Sequence, residues 1–287
     1  MSIKLTSKKA KIIELIFLGF LIINIFISLF IPIQAGSGKI GIKAAPLEIG
    51  DRNFYINDND PFNVKGYKEF RGGPLYPHVL KGISYITIKL FNKSSTSSLW
   101  NTITIISSSF LTFLMIRLTY ASGKLFCDES TGTIAMTFFA ICPYTYFYAL
   151  SGGITIYTLF GTSLSTYFIL KINKNKTKIR NQNKTFLAKI FLSLILVYMS
   201  LLRPSSIIFC LIISLIFIVK EIIKLINNET EKRISSFLIF VFVISFLIGI
   251  HQLWETKIYT SIALNAFNIE RGTFMGIERE LMREKIE

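Results

Sequence analysis

The feature that most constrains this chain is a series of long apolar runs separated by short polar segments. An α-helix rises about 1.5 Å per residue, so about 20 apolar residues cross a hydrocarbon core about 30 Å thick. One run is broken by Arg203-Pro204-Ser205-Ser206 and is therefore assigned to two helices. We predict an all-α membrane protein with about seven transmembrane helices. The runs are Ile12 to Ile33, Leu99 to Thr119, Gly132 to Leu150, Ile154 to Leu170, Phe186 to Val219 and Ser235 to Trp254.

Composition and charge favour lipid over water or nucleic acid as the main surroundings of the chain. Hydrophobic residues make up 51% of the sequence and charged residues 17%, with a mean hydropathy of +0.52. This is too apolar for a single soluble core. The net charge of +15 suits nucleic acid, but the lysines and arginines lie between apolar runs rather than on one polar face. We therefore expect membrane lipids, and no nucleic acid, as partners.

The basic residues predict the orientation of the chain in the membrane. Cytoplasmic loops carry an excess of Lys and Arg, and long loops are largely exempt from this rule. With a cytoplasmic N-terminus, every short basic segment falls inside, whereas the Ser151–Gly153 turn, which has no basic residue, falls outside. We predict a multi-pass protein of the cell (cytoplasmic or inner) membrane, formed by a single domain over 1–287. The basic segments are 4–11, Arg117 to Lys124, Lys171 to Lys189 and Lys220 to Arg233.

A loop, 34–98, separates the first predicted span from the second, and it is polar from Gln34 to about Pro77. Connections of this length are uncommon unless they are functional, so we expect this extracytoplasmic loop to carry a functional role. Between His78 and Phe91, apolar residues recur at helical spacing and polar residues fall elsewhere, which predicts an amphipathic helix on the membrane surface. A polar tail, 255–287, ends on the same side. The apolar positions are Val79, Ile83, Ile86 and Leu90.

Two clusters in this loop are more specific than its composition. The first is Gly50-Asp51-Arg52-Asn53-Phe54-Tyr55, and the second is Arg71-Gly72-Gly73-Pro74-Leu75-Tyr76-Pro77-His78. Later in the chain stand Ala140-Ile141-Cys142-Pro143, Tyr148-Ala149 and, between two apolar runs, Leu202-Arg203-Pro204. In this order the motifs resemble the GT-C class of membrane glycosyltransferases, which includes the protein mannosyltransferases and the aminoarabinose transferases. The resemblance covers most of the chain.

The resemblance implies transfer of a hexosyl or pentosyl group, with inversion, from a polyprenyl-phosphate donor to a glycan, lipid or protein acceptor at the outer membrane face. At the position of Asp51 the class has an acidic residue that orients or deprotonates the acceptor. Arg203 and Arg71 are candidate donor-phosphate ligands, because a guanidinium binds phosphate oxygens bidentately and stays charged in a poorly hydrated site. Candidates for the acceptor groove are Tyr55, Tyr76 and His78.

The motifs do not determine the cofactor. A divalent metal, Mg or Mn, is compatible with carboxylate ligands, and the candidate ligands are Asp51, Asp58 and Asp60. However, Arg52 stands where members of the class often have a second acidic residue. Asp58 and Asp60 also belong to an Asn-Asp-Asn-Asp-Pro sequence that favours a solvated turn. The three cysteines match no metal-ligand spacing and are expected to be buried thiols.

Other interpretations stay open. A transporter or lipid flippase would use Arg203 and the broken helix as a substrate site near the membrane centre, and it predicts an internal repeat and polar residues deep in several spans. A noncatalytic partner of a glycosylation complex would leave Asp51 dispensable. For Arg203, the alternative to phosphate binding is snorkelling to the outer headgroups. Members of the class are usually longer, so we expect the chain to be either an N-terminal fragment or a minimal member.

Overall fold

A computed structural model describes residues 6–30, 56–57, 60–64, 75–76, 78–82, 85, 97–175, 182–227 and 232–255. Within these ranges the protein is α-helical, with one short β-hairpin. A 3₁₀ turn, Pro204–Ser206, lies between two of the helices. The long helices are α1 Lys8–Phe30, α2 Ser97–Phe126, α3 Glu129–Ile141, α4 Pro143–Ser151, α5 Ile154–Asn175, α6 Gln182–Leu202, α7 Ile207–Asn227 and α8 Lys232–Glu255.

Several of these helices suit a bilayer. In the described part of the chain, three are long and apolar enough to cross a membrane: Ile103–Phe126, Asn183–Leu202 and Ile234–Gln252. The pair α3 and α4 adds a fourth crossing if its two bent halves form one span. The apolar helices thus indicate a membrane-embedded protein. Seven crossings, the multi-pass arrangement, the type of membrane and the cytoplasmic N-terminus stay predictions.

The predicted span from Gly132 to Leu150 is not a straight helix. It consists of α3 and α4, which are bent by 63° at Cys142 and Pro143. Pro143 is the first residue of α4, and it has no N–H to continue the ladder of α3. Two hydroxyls bind carbonyls in the last turn of α3: Thr145 donates to Phe139 O (2.9 Å) and Tyr146 donates to Ala140 O (2.7 Å). The segment is therefore either a broken span or a re-entrant loop.

Helices α2 and α3 approach so closely that their backbones touch. A Cβ added at Gly132 would lie 2.6 Å from the carbonyl oxygen of Tyr120, and one at Gly123 would lie 2.7 Å from the Cα of Gly132. The charged turn between the two helices is closed by Asp128, which caps α3 by accepting from Thr131 N (2.7 Å). The Thr131 N–H and hydroxyl hold the pKa of the Asp128 carboxyl below its usual value.

The second half of the protein is a layer of antiparallel and parallel helices. Helix α5 runs antiparallel to α6, with Phe168 and Phe191 stacked at 5.9 Å between ring centroids. Helix α8 runs alongside α6 in the same direction, and the Ser193 and Ser245 hydroxyls are 2.9 Å apart. Helix α7 is antiparallel to α8, with Phe217 and Phe242 stacked at 5.0 Å. The start of α5 therefore shares one end of the layer with the α6–α7 break.

Parts of the loop 34–98, which is predicted to be extracytoplasmic and is called the outer loop below, are also described. Strands β1 (Ile56–Asn57) and β2 (Asp60–Val64) form an antiparallel hairpin that pairs Ile56 with Val64. Residues 75–76, 78–82 and 85 are helical; Tyr76 and Leu80 are buried, whereas His78 and Lys81 are exposed. This alternation agrees with an amphipathic helix. The surface helix over 78–91 nevertheless stays a prediction, because much of it lies outside the described residues.

Candidate functional site

Arg203 lies at the break between α6 and α7. Its backbone N–H donates to Met199 O (3.2 Å), which completes α6, and its carbonyl accepts from Ser206 N (3.0 Å), which closes the 3₁₀ turn. The break follows from Pro204, because proline disfavours helical geometry in the preceding residue and lacks an N–H of its own. The predicted interruption of the Phe186 to Val219 run is thereby confirmed.

The guanidinium of Arg203 bridges two helix ends. Arg203 is half-buried, and its Nη1 donates to the hydroxyl of Thr155 at 2.9 Å. Thr155 belongs to the first turn of α5, so this bond ties the end of α6 to the start of α5. A guanidinium carries five N–H donors. Within the described residues, Thr155 is the side-chain partner of the guanidinium and no carboxylate pairs with it, so most of its donors are not used there.

The distribution of charge isolates Arg203 from the other cations of the helices. All other described lysines and arginines of α1 to α8 lie toward the opposite ends of these helices. The exposed Lys81 of the outer loop is outside this helical set. Among the described helix cations, Arg203 is therefore the one placed to pair with an anion at this end. The cations of the opposite end are Lys8, Lys9, Lys11, Arg117, Lys124, Lys171, Lys174, Lys184, Lys189, Lys220, Lys224, Lys232 and Arg233.

Tyr76 attaches the outer loop to the same end of the helical core. Its side chain is fully buried, and its hydroxyl donates to Gly152 O at 3.1 Å. Its ring lies 5.9 Å from that of Tyr157 in α5, within a cluster that also contains Leu202 of α6. Tyr76 and Arg203 thus both bind the α4–α5 connection or the first turn of α5. The described contacts of Tyr76 are anchoring contacts, and its role in acceptor binding stays a prediction.

The α4–α5 connection owes its shape to a glycine. Gly152 closes α4 with φ 62° and ψ 10°, a left-handed conformation that residues with a Cβ rarely adopt. Ser151 Oγ accepts from Gly153 N at 3.1 Å, and all three residues are buried. The sequence marked Ser151–Gly153 only as a short turn without basic residues. Neither the Tyr76 contact nor Thr155 had a local sequence signal, because both depend on helices distant in the chain.

The other predicted site residues are less well placed by the structure. His78 is exposed, two residues after Tyr76. Asp51, Tyr55, Asp58 and Arg71 lie outside the described residues, and Asp60 is described only through the backbone of β2. The described ranges contain no group of three or more His, Cys, Asp or Glu arranged to hold a metal ion. That finding does not extend to the three candidate carboxylates.

Sequence reasoning missed a second polar site at the opposite end of the layer. Lys189 of α6 forms an ion pair with Glu221 of α7, and their side chains are only 9% and 4% exposed. Nearby, Ser193 and Ser245 bind each other across α6 and α8. The available signal was an ionisable residue within each of two apolar helices, which marks a candidate site in a membrane protein. The pair was not predicted, because each residue belongs to a basic segment that was interpreted as a topology signal.

Comparison with known proteins does not assign the chain to a family. No protein-family model, curated protein or solved structure matches the chain. The resemblance to GT-C glycosyltransferases therefore rests on the motifs in the sequence alone.

Proposed function

We propose that this chain is a membrane glycosyltransferase of the GT-C type, which transfers a hexosyl or pentosyl group from a polyprenyl-phosphate donor to a glycan, lipid or protein acceptor. The observation that carries the proposal is the environment of Arg203. This cation lies at a helix break, is held by Thr155 and has no carboxylate partner among the described residues. An arginine in such a position is expensive in a membrane unless it faces an anion, water or a headgroup.

In this proposal Arg203 binds the phosphate of the donor. Its planar fork matches two phosphate oxygens, and its charge stabilises the negative charge that develops on the departing phosphate. Thr155 fixes one edge of the guanidinium and thereby orients the rest of it. Arg71, in the outer loop that Tyr76 anchors, is the second proposed phosphate ligand.

Asp51 is the proposed catalytic carboxylate. An acceptor hydroxyl or amine attacks the anomeric carbon from the face opposite the phosphate, and its proton passes to Asp51. The bond between the anomeric carbon and the phosphate oxygen breaks, and the polyprenyl phosphate leaves with the electron pair, so the configuration is inverted. Tyr55, Tyr76 and His78 are proposed to line the acceptor groove. A Mg or Mn ion, if required, would take its ligands from Asp51, Asp58 and Asp60.

The proposal is tested by transfer of labelled sugar from a panel of polyprenyl-phosphate donors in membranes that contain the full chain. Arg203→Ala and Asp51→Asn are each expected to lower the rate by about 10²-fold or more. Arg203→Lys keeps the charge without the fork and should retain part of the activity. Lys81→Ala, which removes an exposed cation of the outer loop, is the matched control and should transfer at the wild-type rate.

The outcomes separate the parts of the proposal. Transfer by the wild type that survives Asp51→Asn shows that the carboxylate is wrongly assigned. Transfer that survives Arg203→Ala shows that Arg203 only reaches the headgroups. If the wild type transfers no sugar from any donor, the proposed enzymatic function is wrong, and a noncatalytic partner or a transporter is favoured.

A transporter or lipid flippase is the second candidate, and one observation favours it. Such proteins use polar and ionisable groups deep between helices, and the α6–α8 layer contains the buried Lys189–Glu221 pair and the Ser193–Ser245 contact. Reconstituted vesicles distinguish the two candidates. Movement of a labelled polyprenyl-phosphate lipid between leaflets, without sugar transfer, would support the flippase.

A further inference from the structure

One exposed side of α6 is apolar except in the first turn of the helix. Leu187, Phe191 and Leu194 are 52%, 51% and 57% exposed, and they follow one another at intervals of four and three residues. Residues at these intervals lie one above the other on the same side of a helix. Lys184, three residues before Leu187, is exposed as well. These four residues are called the α6 face below: a cation followed by about 10 Å of apolar surface.

Lys171 of α5 borders the α6 face. The Phe168 ring of α5 stacks on the Phe191 ring of α6, with 5.9 Å between their centroids. The ammonium nitrogen of Lys171 lies 5.8 Å from the centroid of the Phe168 ring and 5.5 Å from that of Tyr167. Lys171 belongs to the last two turns of α5 and Lys184 to the first turn of α6. Because the two helices are antiparallel, both cations lie toward the same end of the α6 face.

The charges of these two lysines are not neutralised by the described residues. Within the described part of the chain, no carboxylate pairs with Lys171 or Lys184. The sequence has no Asp or Glu between Glu129 and Glu221, so neither α5 nor α6 supplies one. Glu221 itself is buried and forms an ion pair with Lys189. The two ammonium groups are therefore placed to pair with an anion that does not belong to these helices.

An anion that fits this surface has to match both its charge and its apolar part. A small soluble anion could pair with the lysines but would leave the apolar residues of the α6 face unused. A phospholipid with a negatively charged headgroup matches both, because its acyl chains lie beside its phosphate along the membrane normal. Anionic headgroups attract basic residues at the ends of membrane helices, and basic pockets between such helices bind them. A zwitterionic headgroup gains less, since it carries a cation of its own.

We propose that Lys171 and the α6 face form a binding site for an anionic phospholipid. The ammonium groups of Lys171 and Lys184 donate to the oxygens of the headgroup phosphate, and an acyl chain packs along the apolar residues of the α6 face. The site is independent of the proposed sugar transfer, because Arg203 lies at the other end of α6.

Competition between lipids for the purified full chain tests the site, with phosphatidylglycerol and phosphatidylcholine of identical acyl chains as probes. The wild type should prefer phosphatidylglycerol, and native mass spectrometry measures this preference as the ratio of bound lipids. Lys171→Ala and Lys184→Ala should each lower the ratio by about fivefold. A Lys8→Ala, Lys9→Ala double variant removes two exposed cations of α1 and should keep the wild-type ratio. It is the matched control for the double variant at 171 and 184, because both lose the same net charge.

Three results of the competition would overturn the proposal. Equal binding of the two lipids by the wild type shows that Lys171 and Lys184 only reach the aqueous phase. Equal losses in the two double variants show that the net charge of the protein, and not this site, attracts anionic lipid. Displacement of phosphatidylglycerol by glycerol phosphate, which has no acyl chains, shows that the apolar residues do not take part.

A second measurement uses the wild type alone and so does not depend on the folding of a variant. Phosphatidylglycerol with a photoreactive acyl chain should label Leu187, Phe191 and Leu194 more strongly than the corresponding phosphatidylcholine does. Both lipids should label Leu247 and Ile250 of α8 equally, because these exposed apolar residues are remote from the described basic residues of the helices. Equal labelling of the α6 face by the two lipids would exclude the site.

Discussion

At the scale of single residues, Thr155 positions the guanidinium of Arg203 and does not itself touch substrate in the proposed reaction. Thr155→Ala removes the 2.9 Å bond to Nη1 and leaves the charge, so sugar transfer should fall by about tenfold, the effect of a charged hydrogen bond worth about 1.4 kcal/mol. The decrease should appear mainly as weaker donor binding, measured as a higher KM for the polyprenyl-phosphate sugar.

Thr158 provides the matched control for that prediction. It lies on the next turn of α5, is half-buried like Thr155, and its hydroxyl donates only to Ile154 O of its own helix at 3.0 Å. Thr158→Ala should transfer sugar as the wild type does. Equal losses in both variants would mean that the effect comes from the helix and not from Arg203.

Tyr76 gives a prediction about stability. Tyr76→Phe keeps the buried ring but leaves Gly152 O without the donor observed at 3.1 Å, which costs on the order of 1–3 kcal/mol. The melting temperature in bilayers or detergent should therefore fall by several degrees. Tyr144→Phe changes an exposed tyrosine of α4 and should melt like the wild type. A Tyr76→Phe protein as stable as that control would show that the loop is not anchored at Gly152.

At the scale of helices, the contact between α2 and α3 depends on two glycines. Gly132→Ala puts a methyl group 2.6 Å from Tyr120 O, so the helices must separate, at a cost of about 1–3 kcal/mol. Gly19→Ala is the control, because nothing lies within 4 Å of the added Cβ and alanine favours the helix. Thermal unfolding should rank Gly132→Ala below the wild type and Gly19→Ala at or above it. The reverse order would exclude close backbone packing of α2 and α3.

The sequence predicted where the helices lie along the chain better than it predicted the bends between them and the sides that their residues face. Pro204 predicted the break after Arg203, because a proline inside a helix removes a backbone hydrogen bond and clashes with the preceding turn. Pro143 is preceded by Cys142 inside a similar run, yet the 63° bend there was not predicted, since the apolar pattern continues on both sides. The prediction of buried cysteines was wrong in part: Cys210 is buried, Cys142 is half-buried and Cys127 is exposed at the end of α2. Apolar neighbours in sequence do not determine which side a residue faces.

At the scale of the whole molecule, the candidate site was visible in the sequence only as separate motifs. Arg203 and Tyr76 were both predicted, but Thr155 and Gly152, which bind them, are separated from them by 48 and 76 residues in the chain. Such contacts arise from the packing of α5 against α6 and the loop, and no local pattern encodes them. The Lys189–Glu221 pair was missed for the same reason, because each partner alone resembles a charge at a helix end.

The opposed charge distribution of the helices gives a prediction about membrane sidedness. Because basic segments stay in the cytoplasm, the end that holds Cys127 should be cytoplasmic and the end that holds Tyr76 and Arg203 should be outside. The test uses a chain with Cys142→Ser and Cys210→Ala, in which Cys127 is the remaining thiol, and a second chain with Cys127→Ser and His78→Cys added.

A membrane-impermeant maleimide should label the second chain in intact cells, because position 78 is exposed and predicted to lie outside. It should label Cys127, which is also exposed, only after the membrane is opened. The opposite result would show that the chain has the reverse orientation, with Arg203 at the cytoplasmic face. The proposed donor would then have to be bound from the cytoplasm.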